Sequence, residues 1–317
     1  MNLNRRRFIA ITAGCVLGAG HANAAESAGA RWQGIALGAH ADLRLVGLPS
    51  SEAENLLTLA RAEIERLEQV FSLYRTDSAL ARLNANGLLR QPGADMIELL
   101  SLVSAIHHAS GGLFDPSIQP LWAAYARAGG APDPEAITAA RAVVGWSKVE
   151  VSSDLVRLAP GGGLTFNGIA QGFITDKIVK LLVSHGLRAG LVSVGEIAAV
   201  GGSPTGGDWP VGLANHEDGD PDTLVYLRDK AVATSSPNGT MFGAGASGHI
   251  LNPVTGLPAA MSWQRVSIIH RSAAMADGLS TAGVMLNSTQ LRDLALQFPG
   301  AMVRAIDQAG DELIVSS

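Results

Sequence analysis

Cysteine is almost missing from this 317-residue chain: the only one is Cys15, near the N-terminus. Beyond it there is no thiol. That excludes an internal disulfide, a thiolate nucleophile and a cysteine metal site. Aromatic residues are scarce as well, 5% of the chain, so the core must be aliphatic and alanine-rich. Positive charge is sparse: the net charge is −5, and the one basic run is Arg5-Arg6-Arg7. Removing residues 1–24 takes those three arginines and no acids, moving the charge to −8. An acidic chain with no basic patch argues against nucleic-acid binding. No internal repeat and no long linker divides the chain, whose length suits one large domain or two intimate ones. What the chain has in quantity is glycine, 37 residues, which implies many turns and close backbone approaches.

The N-terminus reads as a targeting segment. Asn4-Arg5-Arg6-Arg7-Phe8-Ile9-Ala10 is a twin-arginine pattern, followed by an apolar run from Ile11 to Gly20 too short to span a bilayer. Ala22-Asn23-Ala24 supplies a cleavage site. We expect a Tat signal peptide over residues 1–24, a mature domain over 25–317 and a periplasmic location. Ala13-Gly14-Cys15 resembles a lipoprotein box only faintly, because Thr12 stands where leucine is expected.

The central stretch is Leu164–Leu182. It begins apolar and extended (Leu164, Thr165, Phe166), turns through Asn167-Gly168-Ile169-Ala170-Gln171-Gly172, and enters a helix with Phe173, Ile174, Ile178, Val179, Leu181 and Leu182 on its apolar face. A strand, a glycine turn and a helix N-terminus offer free N–H groups and a positive dipole end to a phosphate. The same pattern also serves as an ordinary strand-to-helix connection.

Around it, Ile35–Leu45 reads as a first strand and Glu52–Val70 as a periodic helix capped by Ser51. Tyr74 and Arg75 at its exit suit a ligand contact or a surface cap. Asp95–Ser110 is a second helix, stopped by Gly111-Gly112. Asp115 before Pro116 is extended, and its carboxylate can bond the next turn's N–H groups. Pro134–Val144 reads as a helix, and Lys148–Ser152 and Leu155–Ala159 as short strands. Gly190–Gly195, Trp209–Leu213, Thr223–Leu227, Ala231–Ser236 and Val266–His270 read as further strands. His249 enters a tight turn, Asn252–Pro258, where it is an acid, a base, a ligand partner or a structural histidine. Ser272 caps a helix over Ala273–Leu286. Near its start Asp277 and Thr281 stand four apart on one face, a carboxylate and a hydroxyl suited to Mg²⁺ or to each other. A last helix and a hairpin, Ala301–Ile306 and Glu312–Val315, end the chain.

Seven segments, Phe71–Asn84, Gly111–Leu121, Leu164–Asp176, Trp209–Leu213, Ala233–Ser236, His249–Pro258 and Ala276–Thr281, together resemble the ApbE family of FAD:protein FMN transferases. The resemblance implies an α+β, two-lobed, T-fold-related domain with a flavin cleft between the lobes. It implies Mg²⁺-dependent attack of an acceptor protein's threonine on the FAD pyrophosphate, leaving FMN attached and releasing AMP. It assigns the metal to Asp277, Thr281 and backbone carbonyls of Gly168 and Ala170, and proton removal to His249. Leu37, Tyr74, Leu113, Phe114, Asp115, Thr165, Ile250 and His249 correspond to flavin or adenine contacts, with Gln171 at a phosphate-facing turn. This chain departs from the family's pattern at Gln171 (usually Lys or Glu), at Gly195-Glu196-Ile197 (usually Gly-Gly-Asp), at Asn252 (commonly Asp) and at Ser236 (commonly Gly). The partners implied are FAD and an exported or membrane flavoprotein, with the membrane reached only through that acceptor or an uncleaved leader. Tat-exported members include NosX-type accessory proteins. Two other activities suit the same residues: a metal-dependent FAD pyrophosphatase, and a non-enzymatic FAD-binding accessory protein.

Overall fold

The computed structural model describes residues 15–17 and 29–317, apart from 215–219, 244–246 and 261. The twin-arginine motif and Ala22-Asn23-Ala24 lie outside the described residues. An eight-stranded antiparallel sheet organises the chain. Its strands are β2 (Gly29–Ala36), β3 (Ala39–Val46), β7 (Ala189–Val194), β8 (Glu196–Val200), β11 (Ala231–Ser235), β14 (Trp263–His270), β15 (Met302–Asp307) and β16 (Glu312–Ser316). They lie in the order β16-β15-β14-β11-β8-β7-β3-β2.

Alternation along these strands divides two cores. Leu43, Val192, Val194, Ala233 and Ile268 point to one face, which the helices α1 (Ser50–Phe71), α6 (Ala170–Ser184), α7 (Ala273–Gly283) and α8 (Ser288–Leu296) cover. Leu191, Ile197, Val232 and Ile269 point to the other, where they meet Trp209, Val211, Leu213, Val225 and Leu227. Those residues come from β9 (Trp209–Leu213) and β10 (Thr223–Leu227), with β1 (Cys15–Leu17) paired to the free edge of β9. Helices on one face and strands on the other make the fold α+β.

The remaining elements build the surroundings of the site. α2 (Ala79–Asn86) and α3 (Ala94–Ala109) pack beside α1, and α3 also meets α7. β4 (Leu88–Arg90), β5 (Glu150–Val151) and β6 (Leu155–Arg157) form a small sheet. A third, smaller core joins α4 (Gln119–Arg127) and α5 (Pro134–Val143) to the hairpin of β12 (Met241–Phe242) and β13 (Ser247–Gly248), around Leu121, Tyr125, Val144, Phe242 and Leu251. Phe71 of α1 meets Phe166 and Phe173 edge-on, with centroids 6.0 and 5.4 Å away. Edge-on pairs each add about 0.5–1.5 kcal/mol beyond burial. This trio ties the central stretch to the helical layer.

The structure corrects four local readings. Ile35–Leu45 is two strands, not one: the chain reverses at Leu37-Gly38, and Leu37 itself takes φ 45°. Its N–H donates to Glu68 at 2.6 Å, which holds the turn against α1. Ser51 is not the cap of α1; Pro49 holds that position, with no side-chain hydrogen bond. Leu164–Phe166 joins no sheet. Instead Asn84 brackets Leu164, accepting from its N–H at 2.7 Å and donating to its carbonyl at 2.8 Å. Finally α7 stops at Gly283, so Thr281 lies in its last turn rather than near its start.

Candidate active site

The site lies between the main helical layer and the smaller core. It is a cleft open to solvent on one side, with a mixed polar and apolar lining. One wall is the turn from Leu113 to Pro116, with Ile118 and Trp122. Thr165 adjoins that wall, its N–H donating to the Pro116 carbonyl at 2.8 Å; Asn167, Gly168, Ser235, Thr281 and Met285 form the opposite wall, and His249, Ile250 and Leu251 complete the lining.

Each wall is fixed from the backbone outward. Ser110 accepts from Phe114 N–H at 3.0 Å, and His107 Nδ1 donates to the Phe114 carbonyl at 2.9 Å. Asp115 then caps the short turn that follows. One carboxylate oxygen accepts from Ser117 N–H at 2.8 Å and from its hydroxyl at 2.6 Å; the other accepts from Trp146 N–H at 3.0 Å. The Asp115 carboxylate is therefore committed to the fold, as the cap reading of the sequence allowed.

On the opposite wall the backbone of the central stretch comes within reach of α7. A Cβ built on Gly168 would stand 2.9 Å from Thr281 Oγ1, and that hydroxyl lies 3.5 Å from the Gly168 carbonyl. Ser235, at the end of β11, lies 2.8 Å from Ser280 Oγ and 3.5 Å from Thr281 Oγ1. One turn before Thr281, Asp277 is buried, and its carboxylate accepts a single hydrogen bond from Gly172 N–H at 3.2 Å. Burial pushes Asp277 up to about 8, the Gly172 bond opposes this, and nearby Asp176 adds to it. Glu196 is buried beside it, raised well above the usual carboxylate range by burial first and by Asp277 second.

His249 offers a different chemistry. Its Nδ1 faces the Thr240 carbonyl at 2.9 Å. A carbonyl only accepts, so Nδ1 carries the proton and Nε2 holds a lone pair. That Nε2 is buried with no hydrogen-bond partner. Burial lowers the imidazole to about 4, with the Thr240 bond opposing, so the ring is neutral at pH 7. A neutral imidazole with an uncommitted lone pair in a cleft can accept a proton.

The sequence-chosen residues divide. Leu113, Phe114, Asp115, Thr165, Gly168, His249, Ile250 and Thr281 all line the cleft. Leu37, Tyr74, Ala170, Gln171 and Asp277 do not. Leu37 occupies the hairpin turn described above. Tyr74 is half exposed, and its hydroxyl bonds Asn167 at the edge of the cleft. Gln171 does not face a phosphate: it is buried against Gly195, its side-chain oxygen without a partner. The helix N-terminus expected to hold a phosphate instead receives Asp277 on the Gly172 N–H. Sequence reasoning did not choose Pro116, Ile118, Trp122, Asn167, Ser235, Leu251 or Met285 as lining. Only Ser235 carried a signal, as a hydroxyl at a strand end.

Among the described residues no three His, Cys, Asp or Glu side chains converge into a metal cluster. The donors at the α6–α7 wall are the Gly168 carbonyl, the Thr281 hydroxyl and the Asp277 carboxylate. This all-oxygen set with one acid fits a hard cation that keeps several waters, and the missing Cβ at Gly168 lets the turn approach the Thr281 side chain. No helix among the described residues is long and apolar enough to cross a membrane.

Comparison with known proteins converges on one family. The family model described as the ApbE family matches residues 37–304. A FAD:protein FMN transferase of Treponema pallidum (strain Nichols) is 32% identical over 278 residues, covering 80% of this chain and 77% of the relative. The flavin transferase ApbE from Vibrio cholerae shares the fold at a TM-score of 0.79 and 22% identity, covering 91% of this chain and 97% of that one. The apo form of the Pseudomonas stutzeri flavinyl transferase ApbE gives 0.78 at 26% identity, covering 93% and 97%. With the match running through both walls of the cleft, the chain belongs to the ApbE family.

Proposed function

We propose that this protein transfers FMN from FAD to a threonine hydroxyl of an acceptor flavoprotein, with Mg²⁺, and releases AMP. The observation that carries the reading is the unpartnered Nε2 of His249 in the same cleft as the Gly168–Thr281 oxygens. The names of the curated relatives support the reaction class. In this reading Asp277, Thr281 and the Gly168 carbonyl hold Mg²⁺, which supplies charge neutralisation on the pyrophosphate. His249 Nε2 takes the proton of the incoming hydroxyl. The threonine oxygen bonds to the FMN phosphorus, the bond from that phosphorus to the bridging oxygen breaks, and AMP leaves with that oxygen. The Leu113–Pro116 turn and Trp122 give the flavin nucleotide an apolar wall that excludes water from the attack. The twin-arginine leader supports export to the periplasm before the protein meets its acceptor.

The test mixes residues 25–317 with FAD, Mg²⁺ and an acceptor bearing a candidate threonine, followed by a denaturing gel imaged for flavin fluorescence. A fluorescent acceptor band that disappears with EDTA supports transfer. Release of FMN and AMP without a band favours water as the nucleophile. Bound FAD with neither product, across two acceptors, overturns the enzymatic reading.

A further inference from the structure

The α6 and α7 helices meet N-terminus to N-terminus, and each is capped by an aspartate of the other. On α6, Gly172 N–H donates to Asp277 of α7 at 3.2 Å. On α7, Ala273 N–H and Ala274 N–H donate to Asp176 of α6 at 2.7 and 3.0 Å, and Ser272 Oγ donates to it at 2.6 Å. Asp176 stands one turn after Gly172, and Asp277 one turn after Ala273, so the two contacts mirror each other across the crossing. The remaining N–H groups at the start of α7 are also satisfied: Met275 donates to Ser272 Oγ at 3.2 Å and Ala276 to the Ser272 carbonyl at 3.1 Å. The crossing is close because position 172 lacks a side chain; a Cβ there would lie 2.3 Å from the Ala273 carbonyl oxygen.

From this exchange we infer that Asp176 is a positioning residue for the cation site. The site's oxygens come from two helices. Gly168 belongs to the approach to α6, while Asp277 and Thr281 belong to α7. Their separation is set by how the two helices cross. The contact from Asp277 to Gly172 is one bond, and it involves the carboxylate that the cation needs. Asp176 supplies three bonds on the other side of the crossing and does not line the cleft; it reaches the cation set only as a charge near Asp277, which bears on both cations alike. It keeps α7 in register with α6 while Asp277 is free to turn toward a cation. Loosening the crossing widens the oxygen set. Mg²⁺ demands oxygens at about 2.0–2.1 Å in near-octahedral array, whereas Ca²⁺ accepts about 2.3–2.6 Å and irregular geometry. The lock therefore acts on selectivity for the smaller cation.

This inference rests on the reading of a cation at Asp277, and the experiment separates the two. Mg²⁺ and Ca²⁺ are titrated calorimetrically into the FAD-loaded full-length chain, as the native sequence, Asp277→Asn and Asp176→Asn, with melting temperature measured for each. The expected result is that Asp277→Asn abolishes binding of both cations. Asp176→Asn weakens Mg²⁺ at least tenfold and Ca²⁺ less than threefold. Equal weakening of both cations, or no change in either, overturns the positioning role. Native protein that binds neither cation overturns the metal reading itself, and with it this inference. Should Asp176→Asn fail to fold, Ser272→Ala, which removes one of the three bonds together with the Met275 cap of α7, decides: a threefold or greater loss of Mg²⁺ over Ca²⁺ preference supports the lock, and an unchanged preference overturns it.

Discussion

Asp115, which lines the cleft, and Asp277, one turn before the lining residue Thr281, illustrate two uses of a buried acid. Both are nearly inaccessible. Asp115 accepts three hydrogen bonds, two on one oxygen and one on the other, and holds a turn. Asp277 accepts one, from Gly172, and has two acids, Glu196 and Asp176, for neighbours. An ionised carboxylate has about four acceptor positions. The first residue has used most of them; the second has most of them left, in a place where negative charge is uncompensated. Spare acceptor capacity at a costly charge, more than proximity to the cleft, marks the acid that a cation would complete.

The largest expected effects break this comparison directly. Asp277→Asn should lower FMN transfer at least a hundredfold while costing little stability, because it removes an ill-solvated acid. Asp115→Asn should do the reverse: a loss of about 2–3 kcal/mol from its broken cap, with transfer per folded molecule reduced less than tenfold. Denaturant titration and initial rates check both. Transfer that survives Asp277→Asn, or is lost in a stable Asp115→Asn, would show that the two acids have been assigned the wrong way round.

His249 gives the next effect. Replacing it with Gln should slow transfer by about 10²–10⁴, the usual contribution of a general base, with FAD affinity changed less than threefold. The same residue shapes stability against pH. Its folded-state value is about 4 against an ordinary 6.5, so the unfolded chain binds the proton first as pH falls. The contribution of neutral His249 is complete above pH 6.5 and is lost between 6.5 and 4. That loss is on the order of 3 kcal/mol. Asp277, raised to about 8, runs the opposite way: the folded state holds its proton longer, so stability gains as pH falls from 8 toward the ordinary carboxylate range. Denaturation series from pH 8 to 4 should show a weaker acid-limb loss in His249→Gln than in the native protein. Equal slopes would contradict the assignment of that limb to His249.

The smallest effect sharpens the picture at the turn. Gly168→Ala places a methyl 2.9 Å from Thr281 Oγ1, so the Thr281 side chain must shift. A few-fold rise in the Mg²⁺ concentration needed for half-maximal transfer is expected, with the plateau rate nearly kept. An unchanged Mg²⁺ requirement would remove Gly168 from the cation set.

Much of this was legible in sequence because it is local. The periodicity of Glu52–Val70, the Ser272 cap, and the i, i+4 placement of Asp277 and Thr281 depend on residues within a few positions of each other. The errors have a common cause in contacts that are distant. The turn at Leu37-Gly38 lacks a strong hairpin dipeptide and is fixed by Glu68, 31 positions away. Leu164 looks like a strand residue, yet its backbone partner is a side chain, Asn84. The family resemblance put Gln171 at a phosphate-facing turn, but the fold packs it against Gly195. Glu196, noted in the sequence only as a departure from the family pattern, is placed beside Asp277 by the pairing of β8 with β11 and the packing of α7 on that sheet. Asp176 ends one of the segments that resemble the family, but nothing local pointed to its role, since the helix it caps begins 97 positions later.

The most direct measurement is calorimetric titration of Mg²⁺ into FAD-loaded native, Asp115→Asn and Asp277→Asn proteins at pH 8, each confirmed folded by circular dichroism. The account predicts that native and Asp115→Asn bind with affinities within threefold of each other and that Asp277→Asn does not bind. Native-like binding by Asp277→Asn, or its loss in folded Asp115→Asn, would contradict it.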